Sequence, residues 1–353
     1  MNISQLANEI REQRRNVGFD TYDITVKQLI DMVAEGQIHV APEYQRHFVW
    51  DNERQSNLIE SIFLGIPVPS LFMATNEDSS WEVIDGLQRI TTLINFVRPS
   101  FKSHNKDVAT GTLKISELSK LSSLSGAHYS DLPQTIKLHF LTRPIRITVL
   151  NDLSDFQVRF DLFERLNTGG IILHEQEIRN CVFIGKFNSF IKECAVNDDF
   201  FALIKRADKN GRGNMEELAL KFFAYFEDRD RFIHSVKGFL NDYMHRKTKS
   251  FENEGELRAL FEQVVFTIKQ ALPDGIVRSN RPNTTPLALA EAVMVAVADA
   301  LRSGDQINGA KLVAVLDDQE LKKLMAGGTN TKPKLLRRIE LIREAITVFQ
   351  PPN

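Results

Sequence analysis

Asp85-Gly86-Leu87-Gln88-Arg89 is the stretch of this chain best suited to chemistry. The apolar run Val83-Ile84 stops at Asp85-Gly86, and Leu87, Ile90, Ile94 and Val97 then resume at three- and four-residue steps, which predicts a strand, a tight turn and the start of a helix. Glycine lets backbone approach a ligand closely. The first N–H groups of a helix have no intrachain partner and suit an anion, and an arginine presents a planar fork of donors to phosphate. A phosphate-bearing ligand is therefore the expected partner of Gly86 and Arg89, with Gln88, Thr91, Thr92 and Asn95 on the polar side of the same helix. Asp85 suits three duties: holding a Mg²⁺ that bridges phosphates, orienting Arg89, or capping the helix. Gln88 suits the orientation of an attacking water if a triphosphate is hydrolysed. The spacing excludes a GxxxxGK[ST] phosphate loop and a GxGxxG dinucleotide turn. A strand–helix turn whose arginine makes a surface ion pair fits the same residues, so spacing alone leaves both readings open.

Two other segments carry candidate ligand groups. Tyr44-Gln45-Arg46 follows Pro42-Glu43, where the chain is biased extended, so Tyr44 and Arg46 face one way and Gln45 the other. Asn167-Thr168-Gly169-Gly170 ends a helix predicted to start at Ser154. A plain C-cap explains that composition, but Asn167 and Thr168 are also hydrogen-bonding groups at a loop. Glu175, Glu177, Arg179 and Asn180 then open the next helix, where Glu177 suits a cap or an arginine partner.

In this order the segments resemble one known family. Pro42-Glu43-Tyr44-Gln45-Arg46 with Val49-Trp50, Leu58-Ile59-Glu60-Ser61-Ile62 with Gly65-Ile66-Pro67-Val68-Pro69, Asp85-Gly86-Leu87-Gln88-Arg89, and Phe163 to Gly170 followed by Glu177-Ile178-Arg179-Asn180 are similar to the motifs of the GmrSD-type restriction endonuclease N-terminal family. The resemblance spans about residues 24 to 180. It implies a ParB/sulfiredoxin-like fold and a bound nucleoside triphosphate with Mg²⁺. It also implies that Arg46 joins Arg89 around the phosphates, with Tyr44 and Gln45 beside them, and that the Asn167-Thr168 loop lies near the pocket. Leu87 departs from the family, where a glutamine is usual, which removes a polar contact and puts hydrolysis in doubt. Larger relatives carry a C-terminal His-Asn-His nuclease domain. No histidine occurs after His245, so a stand-alone form without that domain is expected.

The elements that must hold these groups follow from periodicity. Thr25 with Gln28 forms a capping box ahead of a helix through Val26, Leu29, Ile30 and Val33, stopped by Gly36. Asp51 caps a helix carrying Leu58, Ile59, Ile62 and Phe63, ended by Gly65. Residues 70–74, 81–84 and 145–149 read as strands, and residues 99–132 as an insertion that is mobile or lies across the site. Strand patterns stop near residue 150. Helices are expected at 183–195, 214–227, 231–246, 252–271, from a Thr285 cap with Pro286 first through 302, at 309–325 and at 334–349. The fold class is α+β, with a ParB-like α/β domain over 1–180 and a mostly helical domain over 181–353.

The chain has 353 residues, 25% of them charged, a net charge of −2 and only two cysteines. This composition suits a globular protein with a large core and excludes a global basic field for nucleic acid. DNA contact then rests on local patches, for which Arg11, Arg14, Arg15, Lys332, Lys334, Arg337 and Arg338 are candidates. Cys181 and Cys194 read as reduced thiols near the core. No signal-like or membrane-spanning run occurs, so a cytoplasmic location is expected. The expected function is nucleotide binding, with or without hydrolysis, that controls action on DNA in restriction or phage defence. The alternatives are a non-catalytic DNA-binding regulator that recruits a separate nuclease, and an interaction scaffold. Oligomeric state is not encoded in any motif.

Overall fold

A computed structural model describes residues 3, 6, 18–39, 50–76, 78–99, 112–150, 160, 164, 174–206, 213–233, 235–327 and 331–348. Packing divides the chain into two units, Met1–Ile172 and Leu173–Asn353. Five strands lie near the N-terminus and the rest is mostly helical, so the fold is mixed α and β as the periodicity predicts.

In the first unit, β1 (Phe19–Thr25) pairs antiparallel with β5 (Pro144–Leu150), which runs parallel to β3 (Leu71–Thr75). β3 pairs antiparallel with β4 (Trp81–Asp85), which is parallel to the short β2 (Ile38–His39). The order is β1-β5-β3-β4-β2. Tyr22 of β1 nevertheless meets Trp81 of β4, with ring centroids 5.2 Å apart. In a flat sheet these strands would stand about 14 Å apart, three strand spacings, so the sheet is strongly curled. β1 carries no prediction of its own because Phe-Asp-Thr-Tyr-Asp lies exposed along an edge and lacks an apolar face.

Helix signals place the covering layer. The Thr25 hydroxyl accepts the Gln28 N–H at 3.1 Å to open α1 (Val26–Ala34), and the Asp51 carboxylate accepts the Arg54 N–H at 2.8 Å to open α2 (Asn52–Leu64). α2 ends on Gly65 at φ 70°, with Ile66 N–H to the Ser61 carbonyl and Gly65 N–H to the Ile62 carbonyl. Only glycine takes this left-handed end without strain. α3 (Leu87–Val97) and α4 (Gln134–Leu141) complete the layer. Phe63, Phe96, Phe140 and Tyr129 pack ring against ring at 4.7 to 6.5 Å and join α2, α3 and α4 over the sheet.

Residues 112–132 correct the expectation of an insertion across the site. Leu113, Ile115, Leu118 and Leu132 are buried in the core of the first unit. Two polar groups on α2 anchor the segment: the Ser56 hydroxyl accepts the Ser116 N–H at 2.9 Å, and the Glu60 carboxylate accepts the Lys120 and Leu121 N–H groups at 3.0 and 2.8 Å. Weak periodicity hid this because the segment packs as extended chain and 3₁₀ turns. The remaining residues, 100–111, lie outside the described set.

The second unit contains α5 (Glu175–Val182), α6 (Lys186–Ala195), α7 (Asp198–Leu203), α8 (Asn214–Asp228), α9 (Val236–Lys249), α10 (Glu254–Ala271) and α11 (Leu287–Arg302), followed by α12 (Gly309–Val315), α13 (Gln319–Leu324) and α14 (Lys332–Ile346). Every residue of α11 from Leu289 to Ala300 is buried, so this helix is the axis of the core. Three expectations are corrected. Thr285 does not cap α11: its buried hydroxyl accepts the Lys205 N–H at 2.8 Å, and Pro286 occupies the cap position. The 309–325 helix is two helices, because Asp318 starts a new one by accepting the Leu321 N–H at 2.8 Å. Strands do not stop at 150, because β6 (Gln306–Ile307) pairs with β7 (Thr347–Val348) in a ribbon too short to leave an alternating pattern. Cys194 is buried, and desolvation pushes its thiol pKa up to about 12, the state of an inert core thiol. The side chain of Cys181 lies outside the described set. No helix among the described residues is long and apolar enough to cross a membrane.

Glu60 provides the sharpest test of this packing. Glu60→Ala leaves two partly buried N–H groups without an acceptor and should lower the unfolding free energy of the first unit by about 1–3 kcal/mol in urea titration. Glu60→Gln keeps an accepting oxygen and should cost less than about half as much. Equal losses for both variants would show that the carboxylate's charge, and not its acceptance, holds the segment.

Candidate functional site

β4 delivers Asp85 to the surface, and the chain turns at Gly86, whose φ of 109° lies in the region that favours glycine. A Cβ built on Gly86 would meet Leu71 Cδ2 at 2.3 Å and Arg89 Nη2 at 3.4 Å. Leu71 is a buried core residue of β3, so both space and dihedral require glycine here. α3 begins at once with Gly86 in the cap position and no side-chain cap. Asp85 therefore does not cap the helix, although that is its commonest duty at such a turn.

Asp85 instead takes the second of its expected duties. Its carboxylate pairs with Arg89 Nη2 at 2.5 Å, and the Asp85 side chain is 41% exposed while that of Arg89 is 12% exposed. Arg89 Nη1 donates to the Pro69 carbonyl and, at 3.2 Å, to the Ser70 carbonyl. The chain that follows α2 thus presents two carbonyls to the guanidinium, a role invisible in side-chain types. Burial pulls the Arg89 pKa down, and Asp85 opposes that pull. The ion pair that the spacing left open is present, and Arg89 is a clasp fixing the turn.

Gln88 is likewise partly engaged. Its amide oxygen accepts the Trp50 backbone N–H at 3.2 Å across 38 residues of sequence. That bond fastens the start of α2 and the chain entering it to the first turn of α3. The amide oxygen expected to orient a water is occupied by main chain, and no sequence signal marks a backbone donor. Thr92 is fully buried with its hydroxyl on the Gln88 carbonyl at 2.7 Å, and Thr91 is buried too. The expectation that these threonines face a ligand is therefore not met, because α3 is enclosed on more than its apolar stripe. Asn95 is also buried; its carbonyl accepts the Leu113 N–H at 3.2 Å, and its side-chain oxygen has no partner among the described residues.

Tyr44, Gln45, Arg46, Asn167 and Thr168 lie outside the described residues. Glu177 takes the expected cap, accepting the His174 N–H at 2.7 Å at the start of α5. Arg179 is fully buried in the second unit, bonded to Glu175, Gln176, Glu217 and Asn241 at 2.9 to 3.2 Å. Glu217 continues to Lys221 at 2.9 Å, and Lys221 to Glu291 at 3.3 Å. This chain of ions satisfies itself inside the helical core and offers no ligand site.

The basic stretch near the C-terminus is engaged internally. Arg337 pairs with Glu320, Glu340 and Glu344, Arg338 is buried beside Glu291 at 3.5 Å, and Lys332 and Lys334 donate to backbone carbonyls. Acids and carbonyls of the same unit thus engage each of these four residues, and Arg338 is buried. Arg11, Arg14 and Arg15 lie outside the described residues. No group of three or more His, Cys, Asp or Glu able to hold a metal occurs among the described residues.

Gly86→Ala should destabilise the first unit by about 2–4 kcal/mol in denaturant titration, combining the left-handed penalty with the collision at Leu71. Leu71→Ala in the same background should recover part of the loss. A cost below about 1 kcal/mol would mean that the turn tolerates a side chain.

A search of curated proteins gives no match. Residues 26–184 match the family described as the GmrSD restriction endonuclease, N-terminal domain, a match that reaches past Ile172 into α5 and suggests a restriction, nuclease-related role. Residues 26–184 thus form a domain of the GmrSD N-terminal family.

Proposed function

We propose that the Asp85–Arg89 turn binds the phosphates of a Mg²⁺-nucleoside triphosphate, and that a ParB-like first domain uses this binding to control action on DNA in restriction and phage defence. The observation that carries the reading is the convergence of two positive features on one spot. The uncapped N-terminus of α3 and the Arg89 guanidinium meet at Gly86, with Nη2 only 3.4 Å from where a Cβ would stand. A cation at a helix N-terminus opposes the helix dipole. Asp85 and two carbonyls offset that cost, and an incoming anion offsets it further.

Asp85, with one oxygen on Arg89 and a well-exposed side chain, fits a single-carboxylate contact to a Mg²⁺ ion whose other ligands are phosphate oxygens and water. The metal would neutralise phosphate charge. Arg46 and Tyr44 belong to the segment just before Trp50, and the Trp50–Gln88 hydrogen bond tethers the end of that segment to the turn. In this reading Arg46, four residues before Trp50 in the sequence, contributes to the same phosphates.

A second reading, binding without turnover by an adaptor for a separate nuclease, is favoured by Gln88. Its oxygen is committed to Trp50, and Leu87 supplies no polar group beside it. Calorimetric titration of the four triphosphates with Mg²⁺ tests the binding claim. Wild type should bind at least one with a Kd below about 1 mM, and Arg89→Lys, which keeps the charge but not the fork, should weaken it by about one to two decades. Absence of binding by the folded wild type to all four ends the proposal. Phosphate release with and without DNA then separates the readings, with release at the no-enzyme level expected for an adaptor.

A further inference from the structure

A loop in the second unit has the features of a nucleic-acid contact that no motif announced. Ser279-Asn280-Arg281-Pro282-Asn283-Thr284 are six consecutive exposed residues between α10 and α11. The loop is built as two successive turns, with Arg281 N–H to the Arg278 carbonyl at 3.0 Å and Thr284 N–H to the Arg281 carbonyl at 3.3 Å, and Arg278 and Arg281 form a β-bridge. Pro282 removes further freedom.

Both ends of the loop are clamped. Ser279 N–H donates to the Asp317 carboxylate at 3.1 Å, and Ile276 N–H donates to the Leu203 carbonyl at 2.8 Å. The buried Thr285 exchanges two bonds with Lys205, its N–H to the Lys205 carbonyl and the Lys205 N–H to its hydroxyl, each 2.8 Å. That exchange sets Lys205 at the base of the loop.

Several cations of the unit are committed to acids. Arg337, Arg338, Arg229, Arg258 and Lys221 are all held by carboxylates. Among the described residues, by contrast, the side chains of Arg281 and Lys205 make no ion pair or hydrogen bond. Asp317, the acid that meets the loop, is already engaged by the Ser279 N–H and by Lys322 of α13, each at 3.1 Å.

We propose that the loop 279–284, with Lys205 at its base, grips the sugar-phosphate backbone of duplex DNA. Arg281 and Lys205 take phosphates, and the Asn280 and Asn283 amides lie against the groove edge beside them. A clamped, exposed, amide-bearing turn with two uncommitted cations suits this ligand, because phosphate contacts position a protein on a duplex while short polar side chains reach its edges. Preorganisation by the clamps spares the ordering cost that a floppy loop incurs. DNA as the partner rests on the restriction-related reading above, but the site is independent of the Asp85–Arg89 turn.

Fluorescence anisotropy of full-length protein on a fluorescein-labelled duplex of arbitrary sequence, from about 50 to 200 mM salt, tests this by counterion release. Lys205→Ala/Arg281→Ala should make the slope of log K against log salt shallower by about two, since each lost phosphate contact removes about 0.9. Lys186→Ala/Lys249→Ala, which removes two cations of α6 and α9, should leave the slope unchanged. Arg89→Lys should also leave it unchanged while weakening nucleotide, so failure of the nucleotide reading and failure of this one are told apart. A wild-type slope in the Lys205/Arg281 variant, or an equal flattening in the Lys186/Lys249 variant, would overturn the proposal. Single substitutions at these two positions keep the test valid if the double variant misfolds, each with an expected change of about one.

Discussion

The guanidinium of Arg89 draws together chain segments that share no sequence neighbourhood. It takes the Pro69 and Ser70 carbonyls that lead into β3, the Asp85 carboxylate that ends β4, and the first turn of α3 to which it belongs. Charge-assisted bonds of this kind contribute about 1.5–3 kcal/mol each when protected from water. The bend at Gly86 has room for this arrangement only because no Cβ stands between Leu71 and the guanidinium. One side chain thus fixes the entry of β3, the exit of β4 and the direction of α3, and with them the position of the groups this turn presents.

That constraint gives the site a different character from a free arginine waiting for phosphate. The residues of the motif are bonded to one another and to main chain before any ligand arrives, through Asp85 to Arg89, Gln88 to Trp50 and Thr92 to the Gln88 carbonyl. A preassembled site binds with little reorganisation and presents mostly backbone N–H groups and a backed positive charge. In the proposed reading it favours binding over hydrolysis, since the group best suited to steer water serves as a tether.

The second unit follows the same logic with other materials. Its axis is a helix buried all round, and charges that the sequence scatters are gathered into internal chains such as Arg179–Glu217–Lys221–Glu291. Desolvation tends to raise the Glu217 pKa, but Lys221 and Arg179 outweigh it and hold the carboxyl below its ordinary value. Buried ions of this kind specify which helices meet more than they stabilise the meeting. Arg281 and Lys205 are among the described cations that stand outside these chains.

The residues alone determined much of the local structure. Capping by Thr25 and Asp51, the glycine end of α2, the strand-turn-helix at Asp85–Gly86 and the long helices of the second half all follow from rules that act within a few positions. Tertiary structure alone decided the partners. Nothing near Arg89 in sequence says that Pro69 and Ser70 will offer their carbonyls, nothing near Gln88 names Trp50, and Thr285 has every mark of a cap until Lys205 takes its hydroxyl. Likewise the basic run from Lys332 to Arg338 is an exposed patch by composition and a set of internally engaged groups by packing. The physical reason is one of range. Propensity and capping are set by neighbours along the chain, whereas backbone donors and acceptors carry no residue signature and acquire partners only when distant segments are brought within hydrogen-bonding distance.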